Sequence, residues 1–231
     1  DNFLLFFFSV LFGKVMEETG AAASIAKFLA ELLGEKFAIL GVIFSGAVLV
    51  YGGVTTLVVV FSLYPIALSL FKKANLPRYL LPGAIAGGCF TFACANFPGT
   101  PNLVNVIPTT YLGTNTMAAP LVGVITGIAV MLMVCVYFLW EASRARARGD
   151  CFVEDEATTQ SLVKAASMVR LPSPIIAILP IVLILILLNV FKQHVVVAML
   201  GGILLCVVLF FRNVHGVLDM FSYSAENSAI A

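Results

Sequence analysis

Long apolar runs joined by short polar stretches set the pattern of this chain. Phe37–Phe71 is 35 residues long and Tyr79–Trp140 is 62, and neither contains an Asp, Glu, Lys, Arg or His. About 20 apolar residues suffice to cross the roughly 30 Å hydrocarbon layer of a bilayer. The pattern therefore predicts an all-α architecture of membrane helices. Residues 1–13, with the apolar run Phe3–Phe12, read as the end of one such helix. Residues 14–36 read as an amphipathic helix: Ile25, Phe28, Leu29, Leu32 and Leu33 form one stripe, Lys27 and Glu31 lie off it, and Thr19 can cap its start. Such a helix fits the membrane surface or a connector packed on the bundle.

Within residues 37–71 the motif "YGGVTT" interrupts the run, leaving Phe37–Val50 and Val54–Phe71. At 1.5 Å per residue these are about 21 and 27 Å, and the first is too short for an ordinary crossing. A re-entrant hairpin is predicted. Residues 79–112 then hold a helix from about Leu80 to Ala95 followed by a break. A further helix covers residues 118–140, a polar loop residues 141–170, and the spans Leu171–Phe191 and Val195–Phe211 open the segment 171–231.

Composition narrows the class. The 231 residues are 61% hydrophobic and only 11% charged, with a mean hydropathy of +1.07, too little charge for the surface of a soluble domain. The chain reads as a multi-pass protein of the cell (inner) membrane. A net charge of +1 points to no nucleic-acid partner. The five cysteines show no metal-ligand spacing, so neither a metal site nor a cofactor is expected. The sequence starts inside an apolar run without an initiating Met, so a piece of a longer protein is expected.

Basic residues test the topology, because Lys and Arg in short loops favour the cytoplasmic side. With a hairpin that returns to its own side, Lys14, Lys27, Lys36, Lys72, Lys73, Arg78, Arg144, Arg146, Arg148, Lys164, Arg170 and Arg212 share one face, and Lys192 alone lies opposite. A single crossing of residues 37–71 would move Lys14, Lys27 and Lys36 across and spoil the bias.

The break itself is "NFPGTPNLVNVIPTT", inside the longest uncharged run. Unpaired backbone in hydrocarbon costs several kcal/mol per group, so irregular chain persists there only where protein buries it or water reaches it. Pro98, Pro101 and Pro108 each remove a donor. Ion-coupled transporters use such breaks, because exposed helix N-termini attract anions and loosened carbonyls bind cations. Thr100–Pro101 reads as an N-cap and first helical residue, and "GGVTT" starts the returning helix of the hairpin. Gly53, Thr55, Thr56, Thr100, Asn102 and Asn105 are the candidate substrate-binding residues. Tyr51, Gly52, Asn96 and Pro98 are the candidate cation contacts, mainly through carbonyls. An intramembrane enzyme would need a titratable catalytic group that the long run lacks, so no catalytic residue is expected.

The stretches "LFGKVMEETGAAASIAKFLAELLG", "YGGVTTLVVVFSLYPIA", "NFPGTPNLVNVIPTTYLGT" and "SAENSAIA" resemble the gluconate permease family, closest to its hydroxybutyrate-permease-like branch. This resemblance implies the ion transporter superfamily fold: two inverted repeats, each with scaffold helices, a surface arm helix, a re-entrant hairpin and a broken helix. It further implies a secondary carrier of small organic anions, with Na+ or H+ as coupling ion, a homodimer as its assembly, and a second half of the site outside this chain. The gluconate-type pattern has an acid in the hairpin and histidines around the break. Here "YGGVTT" and "NFPGTPN" carry neither, which argues against gluconate itself and against a proton relay through those side chains. The reading is a secondary active, cation-coupled symporter of small organic anions such as hydroxycarboxylates or gluconate-like acids, working by alternating access, with a passive organic-anion channel or a non-catalytic membrane scaffold subunit as the rivals.

Overall fold

The computed structural model describes residues 3–153 and 171–211. The topology residues Lys164, Arg170 and Arg212 lie outside the described residues. Ten α-helices and a short 3-10 turn are described, with no strand among the described residues. Helix α1 spans Phe3–Glu18 and α2 spans Ala21–Leu33; α3 covers Ala38–Tyr51 and α4 Thr56–Lys73. Helices α5 (Leu80–Cys89), α6 (Phe92–Ala95) and α7 (Leu103–Leu112) follow, then α8 (Pro120–Arg148), α9 (Pro174–Asn189) and α10 (Val195–Leu209).

Two helices, α4 and α8, are individually long and apolar enough to cross a membrane. Helix α2 and the segment Glu35–Tyr51 pass the same length and composition criteria together, but meet at 105°. Gly34 makes that corner, with φ 68°, a conformation glycine adopts without steric cost.

The amphipathic segment differs from its expectation in two ways. Helix α1 runs on to Glu18, so Lys14 belongs to it and pairs with Glu17 and Glu18 at 3.2 and 3.0 Å. The N-cap of α2 is Gly20, and the Thr19 hydroxyl donates back to the Val15 carbonyl. The face α2 buries also differs from the predicted stripe. Ala21, Ala22, Ile25, Ala26 and Ala30 are buried, whereas Phe28 is 45% and Leu32 69% exposed. Small residues let backbones approach: the Ser45 hydroxyl of α3 donates to the Ala26 carbonyl at 3.0 Å, and Gly41 lies directly against Ala30. The bulky side chains are left on the outside.

Helix α3 is the hub. It packs on α2, α4, α5 and α8, and Val42, Ile43, Leu49 and Val50 on it are fully buried. Gly88 of α5 faces the Ile43 carbonyl so closely that a Cβ would overlap it. Helices α9 and α10 form a second pair, which reaches the rest through α10 on α1 and α9 on α2. Helix α8 runs eight residues beyond the predicted Trp140 because "EASRARAR" continues with good helix formers, and it stops at Gly149, φ 79°. Its end is clasped to the α4–α5 turn. Arg148 reaches Glu141, Asp150 and the Tyr79 hydroxyl, and Tyr79 donates to Asp150 at 2.8 Å. That bond to Asp150 raises the pKa of the Tyr79 phenol.

Replacing Gly88 by Val tests the α3–α5 contact. Overpacking of this kind costs about 1–3 kcal/mol, so a clear drop in the thermal midpoint of the detergent-solubilised full-length protein is expected. An unchanged midpoint would mean that the two helices do not touch there.

Candidate functional site

Two interruptions separated by some 40 residues of chain are brought together. The first is Gly52–Thr55, between α3 and α4, and the second is Asn96–Asn102, between α6 and α7. Each supplies hydrogen bonds that the other lacks. The Tyr51 hydroxyl donates to the Pro98 carbonyl at 3.0 Å, and the Thr100 hydroxyl donates to the Tyr51 carbonyl at 2.9 Å. Thr100 is fully buried, so this reciprocal pair is shielded from water. Tyr51 also packs edge-on against Phe97, centroids 6.3 Å apart.

Inside the break, Gly99 N–H donates to the Thr116 carbonyl at 2.8 Å. The Asn105 side-chain amide donates to the carbonyls of Thr100 and Thr116 at 3.0 and 3.1 Å. Asn189 at the end of α9 donates to the Gly99 carbonyl at 2.9 Å. The Gly99 N–H and the carbonyls of Pro98, Gly99 and Thr100 in the break thus all find partners.

The cap of α7 differs from the prediction. The Thr100 hydroxyl donates to the Tyr51 carbonyl while its oxygen accepts from Asn102 N at 3.2 Å, and Asn102 is the N-cap of α7, its Oδ1 accepting from Val104 N at 3.3 Å. The helix consequently starts at Leu103, two residues later than the Thr-Pro pair suggested.

The first turns of α4 and α7 line one cavity of about 200 Å³, bounded by Ser9, Gly53, Thr55, Thr56, Leu57, Asn102 and Leu103. The opening amides of a helix have no intrahelical acceptor, and its dipole favours negative charge there. Thr55 precedes α4 in extended conformation and makes no side-chain cap. The hydroxyls of Thr55 and Thr56 and the Asn102 Nδ2 have no hydrogen-bond partner among the described residues, and no acidic residue lines the cavity. Four of the six candidate substrate residues (Gly53, Thr55, Thr56 and Asn102) therefore border the cavity, while Thr100 and Asn105 brace its wall.

Of the candidate cation contacts, the Pro98 carbonyl accepts from the Tyr51 hydroxyl and the Tyr51 carbonyl from the Thr100 hydroxyl. Asn96 turns its carbonyl toward Gly123 of α8. Gly52 packs on Ile181 of α9, with no room for a side chain.

Ser9 and Gly13 were not anticipated. Both lie on α1, and a Cβ at Gly13 would come within 2.5 Å of Thr55 Oγ1 and 3.3 Å of Thr55 N. The glycine is what gives the Thr55 hydroxyl its space. Gly53 has φ 91°, and a Cβ there would lie 2.7 Å from Pro101 Cγ, so the hairpin tip fits the break only with glycine.

The described residues form a helical bundle in which two helix interruptions pack together beside a cavity without acidic lining. Residues 1–225 match CitMHS, described as citrate transporter, and the chain belongs to this family. The match agrees with the ion transporter superfamily implied by the sequence, but in the citrate transporter family rather than the gluconate permease family. The chain is also similar to the uncharacterized transporter YxjC of Bacillus subtilis (strain 168), 45% identical over 148 residues, 64% of this chain and 31% of that relative. The matched stretch thus spans about a third of the relative's length. No solved structure matches the chain.

A double-mutant cycle on Tyr51→Phe and Thr100→Val in the full-length protein tests the joint. Each change should cost about 1–3 kcal/mol, the penalty for stranding a buried polar group, and the double variant should lose less than the sum. Losses that simply add would show that the two bonds do not act as a unit.

Proposed function

We propose that the full-length protein is a cation-coupled symporter of hydroxycarboxylate anions, citrate foremost, in the cell (inner) membrane. The observation that carries this is the convergence of two helix N-termini, α4 and α7, on one cavity with unspent Thr and Asn donors and no acidic side chain. A carboxylate satisfies such donors without needing a buried Lys or Arg, whose charge is costly to hold in lipid. The name of the family supports citrate as the anion to test first.

Thr55, Thr56 and Asn102 hold the carboxylate, and Gly53 keeps the tip close enough for them to do so. Thr100 and Asn105 act on the anion through the wall they brace. Carbonyls of Tyr51, Gly52, Asn96 and Pro98 receive the coupling cation, Na+ or H+ (as hydronium or through water). A second repeat completes the site, and a homodimer through the scaffold helices is the expected assembly. Transport follows from movement of the hairpin and broken helix against α1, α9 and α10, with Gly13 and Thr55 at the sliding contact.

Uptake into proteoliposomes tests this reading. Labelled citrate, 3-hydroxybutyrate, lactate and gluconate are offered to the full-length protein under a Na+ gradient or a pH gradient, applied separately. Citrate should accumulate above equilibrium under one gradient. Equilibration without accumulation under both would contradict symport and favour a passive channel. Absence of flux for every anion would overturn the transport reading.

A further inference from the structure

Helix α8 packs on the site-bearing helices by one face. Gly123 lies against Asn96 and Pro98 of the break, Gly127 against the Phe97 ring, and Phe138 fits over Gly83 and Gly87 of α5. The opposite face is open, with Leu121, Ile125, Leu132 and Val136 exposed along it. On its flank Met133, Tyr137, Trp140 and Arg144 follow at intervals of three or four residues, one stripe of a helix, and all four are exposed.

Length sets the depth of this stripe. From Leu121 to Trp140 the helix measures about 29 Å at 1.5 Å per residue, the thickness of the hydrocarbon layer. Trp140 therefore stands at the membrane interface, where indole rings collect. Arg144, one turn further on, reaches headgroup depth. The positive-inside pattern makes that side cytoplasmic.

The chemistry at the end of the stripe is selective. The Arg144 guanidinium lies over the Trp140 ring, 5.2 Å from its centroid, a contact that holds a cation by attraction to the ring face. Tyr137 packs on the same indole, with centroids 6.3 Å apart. The neighbouring acids are taken by another cation, because Glu141 and Asp150 pair with Arg148 at 3.1 and 3.3 Å. Arg144 makes no ion pair among the described residues. Its N–H edges remain for a phosphate, which a guanidinium grips with two parallel bonds. An apolar face alone would accept any lipid tail, and an exposed cation alone any anion. Joined end to end, they fit a molecule that carries both.

We propose that Met133, Tyr137, Trp140 and Arg144 bind an acidic phospholipid of the cytoplasmic leaflet, its phosphate on Arg144 and its acyl chains along Met133 and Val136. The inference goes beyond the transport reading and does not depend on which anion is carried. Because the inner face of α8 backs the break, the bound lipid steadies the helix against which Asn96 and Pro98 rest.

Fluorescence quenching in bilayers tests this. The full-length protein is reconstituted in phosphatidylcholine containing rising fractions of dibrominated phosphatidylglycerol or, separately, dibrominated phosphatidylcholine. The emission of Trp140 is taken as the difference between wild type and Trp140→Phe, and the bromines quench it only on contact. The acidic lipid should reach half-quenching at a mole fraction about fivefold lower than the zwitterionic one, the effect of one basic residue near the surface. Arg144→Gln should abolish that preference while both lipids still quench, and Arg144→Lys should keep part of it. Equal quenching by the two lipids in wild type overturns the proposal, as does a preference that survives in Arg144→Gln. Quenching by neither lipid overturns it as well, since protein then covers this face. Citrate plays no part in the measurement, so its outcome is separate from that of the transport assay.

Discussion

A peptide group without a hydrogen-bond partner in hydrocarbon costs several kcal/mol, and the site is organised around avoiding that cost. The chain interrupts its helices in two apolar stretches and then lays the interruptions against each other. The Tyr51 hydroxyl donates to the Pro98 carbonyl and the Thr100 hydroxyl to the Tyr51 carbonyl, and Asn105 and Asn189 take up carbonyls in and around the break. Neither interruption would be cheap alone. Together they form a small polar interior in which the carbonyls of Tyr51, Pro98, Gly99 and Thr100 all accept hydrogen bonds.

Some groups are left unspent. The first turns of α4 and α7 face one cavity, where amides that cannot bond within their own helices stand beside Thr and Asn side chains. Polar groups in such a place would be expected to pair with one another if their purpose were structural. The proposed binding arrangement rests on their remaining open to a shared space. The glycines enforce the spacing: Gly53 admits Pro101, and Gly13 admits Thr55.

Much of this was legible in the sequence, because the strongest signals were local. The double glycine of "YGGVTT", the prolines of "NFPGTPN" and the absence of charge around both mark the interruptions, and the helix positions follow within a few residues. Long-range contacts decided the rest. The sequence could not show that Thr100 donates its hydroxyl to the Tyr51 carbonyl, 49 positions away, or that Asn102 is the N-cap of α7. The α2 stripe was read by size, whereas alanine won the buried face because close backbone approach to α3 outweighs burying Phe28 or Leu32. Ser9 and Gly13 gave only faint signals as small residues in an apolar helix. Asn189 gave a clearer one, as the lone amide in "PIIAILPIVLILILLNVF".

The most direct measurement is a structure of the full-length protein, in lipid nanodiscs, with citrate bound. The account places one carboxylate against the first turns of α4 and α7, within hydrogen-bond reach of Thr55, Thr56 and Asn102, with the Tyr51–Thr100 pair intact. Citrate bound elsewhere with that cavity empty, or a hairpin tip parted from the break, would contradict it.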